Sequence, residues 1–196
     1  MDKVKFKGQL FDVVEREIVQ TVAINDSEFK KNISYELVRR GPGVRAIVIK
    51  DEKILLNREY RYELGRWDYR LPGGKVFDSY TDYEDAMKNQ SVHQIIQNRL
   101  ADELVEEADI QIVKSELLEV LHCGFTVEWD LHYFLISEYE PLPSFYNDEI
   151  QKSEYEYIVH CWVDCSKVLS MCLKGEILEA RSAYVLIKYL MSKKRN

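Results

Sequence analysis

Proline is scarce in this 196-residue chain, with four, and glycine nearly so, with eight. Set against thirteen tyrosines and 46% hydrophobic residues, that scarcity excludes a disordered or low-complexity chain. No apolar run approaches the length of a membrane-spanning helix. The N-terminus, Met1-Asp-Lys-Val-Lys-Phe-Lys, lacks the apolar stretch of a signal peptide. Cysteine is limited to Cys123, Cys161, Cys165 and Cys172, with no C-x-x-C pair and no usual zinc spacing. Reduced, buried thiols in a cytoplasmic protein are the expectation. An excess of positive charge is missing too: 27 Lys and Arg face 34 Asp and Glu, for a net charge of −7. Such a chain is expected to bind neither nucleic acid nor an anionic membrane. A small anionic ligand stays compatible with it, provided a cation or local arginines neutralise that ligand.

Hydrophobic periodicity supplies the elements. Val4 to Val22 alternates apolar and polar residues and predicts two short strands. Asn32 to Arg39 predicts a third, ended by Gly41-Pro-Gly43. A sheet that small is marginal alone and has to pack on the body of the protein or on another chain. Val44 to Ile49 reads as a central strand, Asp51-Glu-Lys53 as a hairpin turn and Lys53 to Arg61 as the return strand. Tyr62 to Tyr69 reads as a loop carrying Trp67. From Ala86 a helical pattern runs through Val92, Ile96, Leu100, Leu104 and Ala108 with no Gly or Pro, which predicts one helix of roughly six turns. Leu117 to Leu121, Trp129 to Ile136 and Tyr155 to Val163 predict strands, with a long acidic loop over 138–153. Lys167 to Leu173 and Ala180 to Lys193 predict two closing helices. The boundaries expected are an N-terminal β-subdomain over 1–42 and a main domain over 43–196.

Two features carry chemistry. Glu103, Glu106 and Glu107 stand at i, i+3 and i+4, on one face of the long helix. Like charges so placed repel unless solvent, a basic group or a cation offsets them. Hard divalent cations take oxygen ligands, characteristically a few carboxylates together with substrate phosphates. Upstream, Leu71-Pro-Gly-Gly-Lys-Val76 places paired glycines between a strand and a helix, where the backbone can approach a ligand closely.

A Gly-Gly turn followed by a helix ending in Glu-x-x-Glu-Glu resembles the Nudix box, G-x5-E-x7-R-E-U-x-E-E-x-G-U with U apolar. Glu103, Leu104, Glu106, Glu107 and Ile110 take the positions E, U, E, E and the final U, and Gly74 takes the leading glycine. The resemblance implies that Glu103, Glu106, Glu107 and the Gly74 carbonyl bind Mg²⁺ or Mn²⁺. Four departures stand out. Gly74 and Glu103 are about fourteen residues further apart than in the pattern, which puts an insertion between Lys75 and Asn98. The glutamate of G-x5-E has no sure counterpart, strict counting giving Tyr80 and the nearest acid being Glu84. Asp102 and Asp109 replace the box arginine and the last glycine. Arg99, four residues before Glu103 on the same face, is placed to substitute for that arginine.

Tyr35-Glu-Leu-Val-Arg-Arg-Gly-Pro-Gly43 and Leu173-Lys-Gly-Glu-Ile-Leu-Glu-Ala180 resemble the ADP-ribose pyrophosphatase branch. The resemblance implies an α+β, α/β/α sandwich around a mixed sheet with a small antiparallel N-terminal sheet, and a homodimer. It also implies Mg²⁺-dependent hydrolysis of a nucleoside diphosphate linked to another moiety, ADP-ribose or a nucleotide sugar, to a nucleoside monophosphate and a phosphorylated product. Glu154, with Glu156 as alternative, falls where the branch has its general base. Arg61 resembles a substrate-gripping arginine. Arg70 stands where the branch often has a glutamate. Trp67, Tyr69 and Phe125 are base-stacking candidates, and Glu128 is a further acid. Two other functions fit the same residues: a Nudix-like domain that senses a nucleotide without cleaving it, and a hydrolase of another conjugate such as a CDP-alcohol. A solvated acidic helix face is the remaining reading. His93, His122, His132 and His160 lie at no ligand spacing and read as structural.

Overall fold

The computed structural model describes residues 2–24, 27–89, 91–143, 151–153 and 156–193. In chain order the elements are β1 (Lys3–Lys7), β2 (Phe11–Ile24), β3 (Ser27–Arg40), β4 (Gly43–Lys50), β5 (Lys53–Arg61), β6 (Arg66–Arg70), α1 (Tyr80–Lys88) and α2 (Val92–Ala108). They continue with β7 (Ile110–Leu121), β8 (Val127–Glu128), β9 (Leu131–Pro141), β10 (Gln151–Ser153), β11 (Glu156–Asp164), α3 (Cys165–Lys174) and α4 (Ala180–Lys193). Contacts divide them into two units.

The first unit comprises Met1–Gly43, Lys75–His93 and His122–Asp130. Its sheet has the order β1-β2-β3-β8. β1, β2 and β3 pair antiparallel, as the alternation predicts, while β8 adds in parallel through Val38↔Val127 and Arg39↔Glu128. The expected purely antiparallel sheet is thus completed by a late segment of the chain. Val14 of β2 and Leu37 of β3 are buried, whereas Ile18, Val19 and Val22 are exposed. Buried Arg39 is ion-paired with Asp12 at 3.5 Å and lies over the Tyr80 ring of α1 at 4.2 Å.

The second unit comprises Val44–Gly74, Gln94–Leu121 and Leu131–Asn196. Its sheet runs β10-β11-β5-β4-β9-β7, with β6 also on β5. Val44, Ala46, Ile47 and Val48 of β4 and Ile54, Leu55 and Leu56 of β5 are buried, which explains their nearly unbroken apolar runs. Ile96, Leu100, Glu103 and Leu104 form the buried face of α2. Each such Leu or Ile contributes roughly 1.5–3 kcal/mol on burial. α3 ends at Gly175, whose φ of 71° is the left-handed cap glycine tolerates at no cost.

Three expectations need correction. Residues 62–69 are not all loop: after a turn at Gly65, β6 pairs with β5 from Asn57↔Arg70 to Arg61↔Arg66. The single helix from Ala86 is two. Ser79 and Asp82, helix-start residues by type, close a capping box that begins α1, and Asn89 caps its end, donating its N–H to the carbonyls of Asp85 and Ala86 at 3.2 Å. Polar Asn89 and Ser91 supply local hydrogen bonds that compete with helix continuation, and the apolar period passes over them unseen. Finally, the acidic loop is shorter than its sequence suggests, because β9 extends to Pro141 and β10 takes 151–153. Asp109, where a glycine was absent, adopts φ 50° and lets β7 begin directly after α2. Among the described residues no helix is long and apolar enough to cross a membrane.

Candidate active site on the glycine turn and helix α2

The Gly-Gly turn meets α2 within the second unit. The Gly74 carbonyl accepts the Val44 N–H at 2.9 Å, and the Pro72 carbonyl accepts the Ala46 N–H at 2.9 Å, so the turn is held to β4. Gly73 has φ 128°, and a Cβ there would overlap the Val44 carbonyl oxygen. At Gly74 a Cβ would overlap the Glu103 carboxylate. Both glycines are therefore required, for different reasons: the first by backbone conformation and the second by the approach of an acid.

Glu103 is 5% exposed, and its Oε1 lies 2.7 Å from Arg99 Nη2. Burial pushes its carboxyl above the usual range, against the pull of the Arg99 guanidinium, and the neighbouring Glu106 pushes the same way. Glu107 Oε2 accepts two hydrogen bonds, from the Gly73 N–H at 2.8 Å and from Asn57 Nδ2 at 3.0 Å. Burial nevertheless raises Glu107 to about 7, opposed by the Gly73 bond and reinforced by the Glu103 charge. Glu106 is exposed and lies 3.5 Å from Arg99 Nη1.

Two acids forced together in a poorly solvated place are what a divalent cation relieves, and the available donors are hard oxygens. The Gly74 carbonyl keeps one lone pair beyond its bond to Val44. The residues therefore suit Mg²⁺ or Mn²⁺ chemically. As they stand, no three His, Cys, Asp or Glu side chains among the described residues are gathered around one point.

Some of the other candidates belong to a separate network. Glu59 accepts Arg61 Nη1 at 2.7 Å and Arg70 Nη1 at 3.3 Å, and Arg61 Nε also donates to Glu63 at 2.6 Å. Arg70 Nε lies 3.8 Å from Asp68, whose Oδ1 accepts the Leu178 N–H. Trp67 stands edge-on to Tyr60 at 5.5 Å, with the Arg58 guanidinium 4.3 Å from its ring centroid. Glu128 belongs to the first unit, where it is ion-paired with Arg16. Phe125, in the same unit, is 95% exposed. Glu154 lies outside the described residues, and Glu156 is described only as the first position of β11.

Sequence reasoning missed two residues here. Asn57 is buried and bonded to Glu107. Arg45 is buried, donates to the Val44 carbonyl at 2.8 Å, and supplies positive charge to Glu103 and Glu107. Its guanidinium is pulled below its ordinary value by burial first, then by Arg70. The available signal was a polar residue interrupting each apolar strand, at Val44-Arg45-Ala46 and Leu56-Asn57.

The mixed sheets and four helices, with the glycine turn leading toward the acidic helix, make an α+β fold, the class that the resemblance to the box implies. More particularly, the chain is similar in structure to an ADP compounds hydrolase, with 16% identity, a TM-score of 0.63, and coverage of 98% of this chain and 90% of that one. A MutT NUDIX hydrolase from Burkholderia pseudomallei is similar at 20% identity over 64% of this chain and 84% of that one, with a TM-score of 0.43. No family model matches the chain, and no curated protein matches it in sequence.

Proposed function

We propose that this protein is a divalent-cation-dependent hydrolase of a nucleoside diphosphate linked to a second moiety, with ADP-ribose or a nucleotide sugar as the substrate class. The observation that carries the reading is the meeting of Glu103 and Glu107 with Gly74 and Gly73, two acids from one helix seated on one backbone turn. Glu103, Glu106, Glu107 and the Gly74 carbonyl would hold Mg²⁺ or Mn²⁺. When bound, such an ion supplies charge neutralisation for a pyrophosphate and acidifies a coordinated water.

The chain's own residues do the positioning. Gly73 fixes Glu107 through its N–H, and Asn57 fixes the same oxygen from β5. Arg99 orients Glu103 and neutralises part of its charge, the task of the arginine that Asp102 replaces. Arg61 and Arg70 are the proposed phosphate contacts, since guanidinium groups suit bidentate contact with phosphate. Trp67 is a proposed base contact and Glu128 a further substrate contact. Glu154, which follows β10 in the sequence, is the proposed general base. A homodimer belongs to the same reading: Ile18, Val19 and Val22 of β2 are exposed, and apolar residues so placed on a hairpin suit burial against a second copy.

The second reading is a nucleotide-sensing domain of the same fold. Asp102 in place of the box arginine and the lengthened spacing from Gly74 to Glu103 favour it. A panel of ADP-ribose, nucleotide sugars and CDP-alcohols incubated with Mg²⁺ separates the two. Hydrolysis to a nucleoside monophosphate supports the enzyme; tight binding of one member with no turnover of any supports the sensor.

A further inference from the structure

His160 was expected to be structural, but its position couples it to the acids of α2. β11 pairs antiparallel with β5, and His160 lies opposite Asn57 in that register. Directly opposed residues put their side chains on one face of the sheet, within reach of each other. His160 Nδ1 lies 3.1 Å from Asn57 Oδ1, and Asn57 Nδ2 lies 3.0 Å from Glu107 Oε2. The same Glu107 oxygen accepts the Gly73 N–H, a group that can only donate.

These contacts fix directions. Glu107 Oε2 already accepts the Gly73 N–H, so Asn57 presents its NH₂ group to that oxygen and its carbonyl to His160. The carbonyl cannot donate. His160 must therefore carry its proton on Nδ1, and its Nε2, buried and without a hydrogen-bond partner among the described residues, is the bare nitrogen. A neutral ring suits this arrangement, and burial lowers the imidazole below its ordinary range.

We infer that His160 and Asn57 form a positioning relay that holds the Glu107 carboxylate against the glycine turn, oriented for cation binding. His160 orients the Asn57 amide, and the amide orients the carboxylate. The inference rests on the metal-site reading above, and it adds two residues that lie 50 and 103 positions from their partners in sequence. Neither is a ligand: each acts through the next. Outer partners of this kind affect metal affinity by roughly 10–100-fold when removed.

The test combines nitrogen NMR of the metal-free protein with Mn²⁺ titration. In the wild type the relay requires a protonated Nδ1 and a bare Nε2 on His160. Asn57→Ala should free the ring to protonate Nε2 and weaken Mn²⁺ binding by roughly tenfold or more. His160→Ala should also weaken Mn²⁺ binding, and His160→Asn, which keeps a donor at the place of Nδ1, should recover most of it. A proton found on Nε2 in the wild type, or Mn²⁺ affinity unchanged by both Asn57→Ala and His160→Ala, overturns the relay. A wild type that binds no Mn²⁺ overturns the metal-site reading itself, and the two failures are distinguished by that control. His160→Asn serves as the folded comparison should His160→Ala fail to fold.

Discussion

Gly74 and Glu103 are 29 positions apart, and yet no side chain larger than hydrogen fits between them: a Cβ on Gly74 would occupy the space of the Glu103 carboxylate. The glycine is there for the acid. Gly74→Ala meets only the end of a flexible side chain, so the fold should survive with about 1 kcal/mol lost or less. The displaced Glu103 should weaken Mn²⁺ binding by roughly 10–100-fold. Calorimetric titration of the purified variant, with circular dichroism for the fold, measures both.

Gly73→Ala should behave in the opposite way. Its φ of 128° and the overlap with the Val44 carbonyl are backbone constraints that no rotamer change relieves. A loss of about 2–4 kcal/mol is expected. Urea denaturation gives the value directly, and a midpoint equal to wild type would show that the turn is not held as described.

Glu107→Gln removes a half-buried charge and keeps an acceptor for Gly73 and Asn57. Because Glu107 is raised to about 7, its ionised form at pH 8 costs the metal-free fold stability that the amide does not. The metal-free variant should gain about 3 kcal/mol at pH 8. Added Mg²⁺ should raise the melting temperature of the wild type and leave the variant unmoved. Thermal scans with and without Mg²⁺ read both effects.

Arg99→Ala addresses the proposed substitute for the box arginine. Loss of its 2.7 Å contact with Glu103 should weaken Mn²⁺ affinity by roughly tenfold, with Arg99→Lys intermediate because an ammonium keeps the charge but not the fork. Equal affinities in all three proteins would remove Arg99 from the site.

Tyr133 tests stability away from the acids. Its hydroxyl donates to Glu179 at 3.0 Å and lies 3.2 Å from Ser182 Oγ, while Glu179 also accepts the Ser182 N–H at 2.7 Å at the start of α4. Tyr133→Phe should cost about 1–2 kcal/mol and leave Mn²⁺ affinity as it was. Denaturant unfolding and metal titration on the one variant separate the two effects.

The acidic helix and the glycine turn were legible because each is a local pattern whose spacing states its geometry. Glu103 and Glu107 share a helix face by number alone, and Gly73-Gly74 announces unusual backbone. Asn57 and Arg45 were not legible in the same way. A strand's alternation tells which face a residue takes but not what lies across from it, so Asn57 looks like a flaw in the run Ile54-Leu55-Leu56 until the β5–β11 register places His160 beside it. The break between α1 and α2 was hidden by an apolar period that spans it. The insertion explains why: α1 and the first turns of α2 occupy the extra length between Gly74 and Glu103.

The acids of α2 and the glycine turn are proposed here as a cation-dependent site for cleaving a pyrophosphate. Its most direct test is the release of nucleoside monophosphate from ADP-ribose and nucleotide sugars by wild type and Glu107→Gln, with Mg²⁺ and with EDTA. Release should need the cation and fall at least about a hundredfold in the variant. Release untouched by EDTA and by Glu107→Gln, or no release from any compound, would contradict it.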